Sequence, residues 1–252
     1  MATHEILYPT EEDDWSPSRK RVFSAWMTHI VTASSAVWGL LAILAITNGA
    51  WIDAFWWMAL AVFIDAFDGL LARRVDVKKV LPQIDGALLD NIVDYLNYAF
   101  VPAYFLYSAD LVPAWFRIVG PALILMASAY QFSQSDAKTE DHSFKGFPSY
   151  WNIMVYYFFM LGTGNALNVF FTLLFVVLVF VPIKYIYPSR TTVQPKLVMG
   201  GGVVWGIVTL AMLVLYPDIP RWLMLFSLVY VVYYHALSLY VQFFAPPRTA
   251  AS

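Results

Sequence analysis

A chain of 252 residues that is 60% hydrophobic and only 13% charged, with a mean hydropathy of +0.63, is far more apolar than a soluble domain tolerates and reads as an integral membrane protein. It has no cysteine, which excludes a disulfide framework, a thiolate nucleophile and a thiolate metal site. The net charge of -2 says little, but the distribution of charge says more. Residues 1–24 run from acidic (Glu11, Glu12, Asp13, Asp14) to basic (Arg19, Lys20, Arg21) with no small-residue cleavage pattern, and read as a retained, amphipathic cytoplasmic segment. Apolar runs long enough to cross a ~30 Å hydrocarbon core follow at about 25–47, 52–73, 86–108, 113–133, 149–164, 167–186, 197–216 and 221–244. They predict an all-α polytopic protein with eight spans in a single 25–244 domain, followed by a short cytoplasmic tail at 245–252. The breaks carry turn residues: Asn48-Gly49, Pro82, Pro113, Gly162 to Asn165, Pro188, Pro195 and Pro217 to Pro220. With the N-terminus inside, thirteen of the fifteen basic residues fall on the cytoplasmic side and only Arg117 and Arg221 on the other, the positive-inside bias of a consistent topology. Both termini are then cytoplasmic.

The second and third runs carry acidic side chains at the edge of hydrocarbon, where they are rare without a function. The pattern is Asp65-x-x-Asp68-Gly69-x-x-Ala72-Arg73, twelve residues, then Gly86-x-x-x-Asp90-x-x-x-Asp94. Asp65, Asp68, Gly69 and Ala72 recur at i, i+3, i+4 and i+7 and share one helical face, as do Gly86, Asp90 and Asp94 at steps of four. Two helices joined by the intervening basic loop can therefore aim four carboxylates at one small volume. Like charges so close repel unless a cation lies between them. With oxygen ligands only, that cation is a hard one, Mg²⁺ or Mn²⁺, and four carboxylates can hold two.

Two further stretches interrupt the apolar pattern on the same side. Gln134 to Pro148 is polar and leads into Phe144-Lys145-Gly146-Phe147-Pro148-Ser149-Tyr150-Trp151-Asn152, where Gly and Pro among aromatics suggest a shaped loop. Lys184-Tyr185-Ile186-Tyr187-Pro188-Ser189-Arg190 places two cations and two tyrosines at the end of the sixth run.

The eight fixed positions from Asp65 to Asp94 resemble the signature of the CDP-alcohol phosphatidyltransferases, membrane enzymes that displace CMP from a CDP-activated lipid with an alcohol. The twelve-residue gap and the extra spans resemble the bacterial phosphatidylcholine synthase branch of that family. The resemblance implies CDP-diacylglycerol and choline as substrates, with Asp65, Asp68 and Asp90 as the main metal ligands and Asp94 touching a second ion or accepting the proton of the incoming hydroxyl. It also implies CDP-diacylglycerol binding at Gly69, Ala72 and Gly86, small enough to let a flat cytidine lie against the helices, with Arg73 bridging phosphate oxygens, Thr32 near the nucleotide and Lys184 and Arg190 on phosphate. Thr32 equally suits helix packing, and Lys184 and Arg190 equally suit anchoring of the sixth span. Choline is a cation without a strong hydrogen-bond donor, so aromatic faces suit it. Tyr150, Trp151, Tyr185 and Tyr187 lie at the right depth, although Trp and Tyr also gather at any membrane interface. The family further implies a homodimer among membrane lipids, in the bacterial inner membrane with its site facing the cytoplasm, and no nucleic acid partner. Two rivals stay open: the same transfer to serine, glycerol phosphate or inositol, and a transporter whose carboxylates line an ion route.

Overall fold

The structure, a computed structural model, describes residues 16–137, 139 and 143–244; the acidic part of the N-terminal segment and the 245–252 tail lie outside them. Among the described residues the fold is helical with one two-stranded ribbon. Helix α1 (Arg19–Thr47) starts on Ser18, whose hydroxyl accepts from the Arg21 N–H, so it begins before the apolar run itself. It breaks at Asn48-Gly49, where Gly49 has a φ of 70°. Helix α2 (Trp51–Val75) runs back along it, packing closely with Trp38 and Trp57 stacked 5.9 Å apart, and ends on left-handed Asp76. A single turn, α3 (Val77–Val80), seats Val80 and Leu81 against Ala25 at the start of α1, folding the basic loop onto the first helix.

The 86–108 run is helical throughout but not uniformly α. Asp85 caps α4 (Gly86–Asp94) by accepting from the N–H groups of Ala87 and Leu88 at 3.0 Å. The turn then widens into a π segment over Tyr95–Phe100, closed by the Val101 N–H donating to the Leu96 carbonyl five residues back, before α5 (Val101–Ser108) resumes. Pro102 accounts for the widening, because it has no N–H to give the Tyr98 carbonyl and its ring would clash with that carbonyl in a regular turn.

After α6 (Val119–Ser133) comes a departure from the all-helical expectation. Strand β1 (Ser143–Lys145) pairs antiparallel with β2 (Lys184–Ile186), in the register Ser143 to Ile186, Phe144 to Tyr185 and Lys145 to Lys184. Between them lie α7 (Trp151–Met160) and α8 (Asn165–Phe180), separated at the Gly162 turn as expected. Helix α8 stops short of the predicted 186 because Pro182 pushes Val181 to extended backbone, so Lys184 and Tyr185 stand on a strand rather than on the sixth span. Helices α9 (Pro195–Leu215) and α10 (Arg221–Phe244) complete the chain. Side chains of α10 satisfy the outer edge of β2: Gln242 accepts from the Lys184 N–H, Ser238 from the Ile186 N–H, and the Tyr234 hydroxyl donates to the Ile186 carbonyl.

The core is aromatic. Phe55, Phe105, Tyr156 and Phe159 interlock with Trp51 at one end, and Phe147 stacks on Phe175 at 4.5 Å near the ribbon. Among the described residues four helices, α1, α2, α9 and α10, are each long and apolar enough to cross a membrane, and the eight crossings expected are not confirmed. The 10 residues of α7 reach only about 15 Å, half of the hydrocarbon core.

Gly146 joins the ribbon to α8. Its φ is 79°, its N–H donates to the Ile183 carbonyl, and a Cβ there would lie 2.3 Å from the Val179 carbonyl oxygen. Because that neighbour is backbone, Gly146→Ala is expected to lower stability by about 1–3 kcal/mol, read as a reduced thermal midpoint of the purified protein in detergent.

Candidate metal and headgroup site

The functional side chains come from three helices. Asp65 and Asp68 are on α2 and Asp90 on α4, and one carboxylate oxygen from each lies within 4.8 Å of the others. Asp68 is only 5% exposed, whereas Asp65 and Asp90 are half-buried. From α1, the buried Thr32 hydroxyl lies within hydrogen-bonding reach of Asp68, and Arg73, one turn along α2, stands within electrostatic reach of it. Thr32 therefore touches the site rather than serving packing alone. Three hard oxygen donors at this spacing fit a divalent cation and offer nothing to a soft one.

The four carboxylates expected at one point narrow to three. Asp94 lies outside the tight group, within electrostatic reach of the Tyr98 hydroxyl. Four residues overshoot an α-helical turn, so each step of four carries the side chain around the axis and away from Asp90. Sequence reasoning missed Tyr98, whose hydroxyl donates to Asp65 Oδ2 at 2.8 Å. Its signal was present, since Tyr98 continues the Gly86, Asp90, Asp94 series and precedes Pro102 by four.

Gly86 faces His29 on α1: a Cβ at Gly86 would approach the imidazole Cε1 at 3.1 Å. His29 is buried and its Nε2 has no hydrogen-bond partner. At Gly69 a Cβ would meet the Arg73 guanidinium at 3.3 Å, so this glycine lets Arg73 fold back over α2, and Ala72 lies half-buried beside it.

The four aromatics proposed for a cation cage divide into two pairs. Tyr150, half-buried at the start of α7, has Asp65 and Tyr187 within electrostatic reach and Tyr234 at 6.2 Å between rings. Tyr187 is half-buried against Phe144 at 4.7 Å, with the exposed Arg190 guanidinium 5.5 Å from its centroid. The other pair faces the core. Trp151 is 0% exposed, edge-on to Phe147, with its indole N–H donating to Ser128 at 2.6 Å, and has no free face. Tyr185 is 4% exposed between Phe147 and His235, and burial pushes its phenol up to about 12. Residue type and depth cannot separate a buried ring from a lining one, which is why all four looked alike in the sequence. Directly before Tyr150, Ser149 is fully buried in a left-handed conformation, φ 58°, with an unpartnered hydroxyl. Strain of this kind concentrates at ligand sites. Of the cations, Lys145 is engaged with Asp136 at 2.6 Å, which holds the Asp136 carboxyl below its ordinary range, and Lys184 is half-buried on β2.

A separate depression of about 300 Å³ lies at the other end of α2, lined by Trp51, Phe159 and Tyr216 with Asp53 as its one charged group. Fifteen residues of helix, roughly 22 Å, separate Asp53 from Asp68.

No family model matches the chain. Individual proteins do. The chain is 46% identical over 229 residues to a phosphatidylcholine synthase of Legionella pneumophila, covering 88% of this chain and 90% of that protein. It is 41% identical over 213 residues to one from Legionella bozemanae, with 82% and 98% covered. With one from Rhizobium meliloti it shares 31% over 220 residues, with 87% and 91% covered.

The geometry sets Asp65, Asp68 and Asp90 apart from Asp94. Asp65→Asn, Asp68→Asn and Asp90→Asn are each expected to weaken Mn²⁺ binding by on the order of 100-fold, followed by the electron paramagnetic resonance signal of free Mn²⁺, while Asp94→Asn leaves it within about twofold.

Proposed function

The chain belongs to the bacterial phosphatidylcholine synthases, and from that membership we propose how its residues move a phosphatidyl group from CDP-diacylglycerol to choline and release CMP. The observation that carries the reading is the convergence of Asp65, Asp68 and Asp90 within 4.8 Å, with Tyr150 within electrostatic reach of Asp65. The cation is Mn²⁺ or Mg²⁺, and the site takes two. Held by Asp65, Asp68 and Asp90, such ions would neutralise the charge of the pyrophosphate.

The chain's own groups do the rest. Asp65, Asp68 and Asp90 hold the cations, and Thr32 orients Asp68. Arg73 donates to phosphate oxygens, with Lys184 and Arg190 contributing positive charge from the ribbon side. The small surface at Gly69, Ala72 and Gly86 admits the cytidine, and the unpartnered His29 Nε2 lies beside Gly86 to meet it. The choline oxygen forms a bond to the phosphorus that carries diacylglycerol. The bond from that phosphorus to the bridging oxygen breaks, CMP leaves with the electron pair, and the hydroxyl proton passes to the Asp94 carboxylate. Standing outside the ligand group suits Asp94 to this work.

Choline's trimethylammonium is taken by the faces of Tyr150 and Tyr187, each contributing ~0.5 to 2 kcal/mol depending on desolvation. Trp151 and Tyr185 brace these rings from the core and do not contact the ligand. An acceptor with its own carboxylate or phosphate would need a dedicated cation, and Lys145 is already engaged with Asp136. A transport route would string acidic groups across several depths, whereas these gather at one level of α2 and α4. The site faces the cytoplasm with both termini inside, in keeping with the distribution of basic residues, and the protein acts as a homodimer in the membrane.

Two outcomes test this. In detergent with CDP-diacylglycerol and Mn²⁺, CMP release is expected with choline and not with serine, inositol or glycerol phosphate; release with any of these three at the choline rate overturns the acceptor. Tyr150→Leu is expected to raise the KM for choline about tenfold, equivalent to roughly 1.4 kcal/mol, with that for CDP-diacylglycerol changing less than twofold, and equal effects on both refute the cage.

A further inference from the structure

Asp65 is half-buried on α2, next to exposed Phe63 and Phe67. A carboxylate free to rotate there would sample several rotamers, few of them pointing at Asp68 and Asp90. The Tyr98 hydroxyl, crossing from the third helical run, donates to Asp65 Oδ2 at 2.8 Å and binds one of its two oxygens. We propose that Tyr98 is the positioning residue for Asp65, setting the geometry in which the three carboxylates receive a divalent cation.

The reach depends on the π segment. From Asp94, four residues of regular α-helix would carry Tyr98 past the face that Asp90 and Asp94 share. A turn that closes only after five residues takes up that overshoot and returns Tyr98 toward α2. Pro102 imposes the wide turn, since the carbonyl it cannot serve belongs to Tyr98 itself. A proline four residues downstream thus places a phenol on a carboxylate 33 residues upstream. Carboxylates that bind metals are themselves held by hydrogen bonds of this kind, and removing the partner weakens the metal by about 10- to 100-fold.

The proposal rests on the divalent-cation reading of the site, and the experiment separates the two. Mn²⁺ is titrated into full-length wild type, Tyr98→Phe and Pro102→Ala in detergent, following free Mn²⁺ by electron paramagnetic resonance. CMP release is measured against Mn²⁺ and choline in parallel. Failure of the wild type to bind Mn²⁺ sinks the cation reading itself. Given wild-type binding, Tyr98→Phe is expected to weaken Mn²⁺ about tenfold or more and to raise the Mn²⁺ requirement for turnover equally. Saturating Mn²⁺ restores kcat, and the KM for choline stays within twofold. Unchanged Mn²⁺ affinity in Tyr98→Phe, or a loss of kcat that Mn²⁺ does not restore, overturns the role. Should Tyr98→Phe not fold, Pro102→Ala decides: it keeps the phenol but narrows the turn, so weaker Mn²⁺ binding supports the assignment and wild-type affinity refutes it. In an Asp65→Asn background, Tyr98→Phe is expected to add nothing further to the loss.

Discussion

Three carboxylate oxygens within 4.8 Å of one another, at the margin of hydrocarbon, repel one another and form a group that could hold a divalent cation. The surroundings fit that constraint. Burial of Asp68 removes the water that would screen it, while Thr32 and the N-capped start of α4 fix the helices from which the group projects. A cation held there would relieve the mutual repulsion of these charges.

The site is assembled across the first three helical runs, not within the two that carry the motif. Helix α1 contributes Thr32 and His29, and the α3 turn seats the basic loop on its first residues. Gly39, deeper in α1, admits the Asn97 side chain, whose amide donates to the carbonyls of Ser35 and Val93. The π segment that carries Tyr98 is therefore keyed to α1 as well as to α2. The later helices supply the aromatic wall: Tyr150 from α7, Tyr187 after β2, and Tyr234 from α10 behind them. The carboxylates and the aromatic rings beside them come from different parts of the chain.

What could be read in the sequence followed from local rules. The spacing of Asp65, Asp68 and Asp90 fixed their faces, the turn residues marked the breaks between helices, and the apolar content declared the membrane. The 86–108 run ends where expected, at Ser108. What escaped was non-local. Residues 143–145 and 184–186 are too short to show an alternating pattern, and they pair because α7 and α8 bring them together. Trp151 and Tyr185 match Tyr150 and Tyr187 in type and depth, and only burial in the folded chain, 0% and 4% exposed, separates them from the half-buried pair. Asp94 follows the same four-residue rule as Asp90, but helical drift accumulates with each repeat. The count of eight crossings is not confirmed: four helices are long enough on their own, and hydrophobicity does not say how far α7 reaches.

The ribbon and Gly146 leave their own mark on the architecture. Gln131 reaches the Lys145 carbonyl, Phe147 donates its N–H to Leu178, and α10 side chains grip β2 from the far edge. The connections before α7 and after α8 are thereby riveted into one plate, anchored to three helices. A displacement of either connection must drag the other with it, so the wall bearing Tyr150 and Tyr187 shifts against α2 as a rigid slab instead of flexing ring by ring.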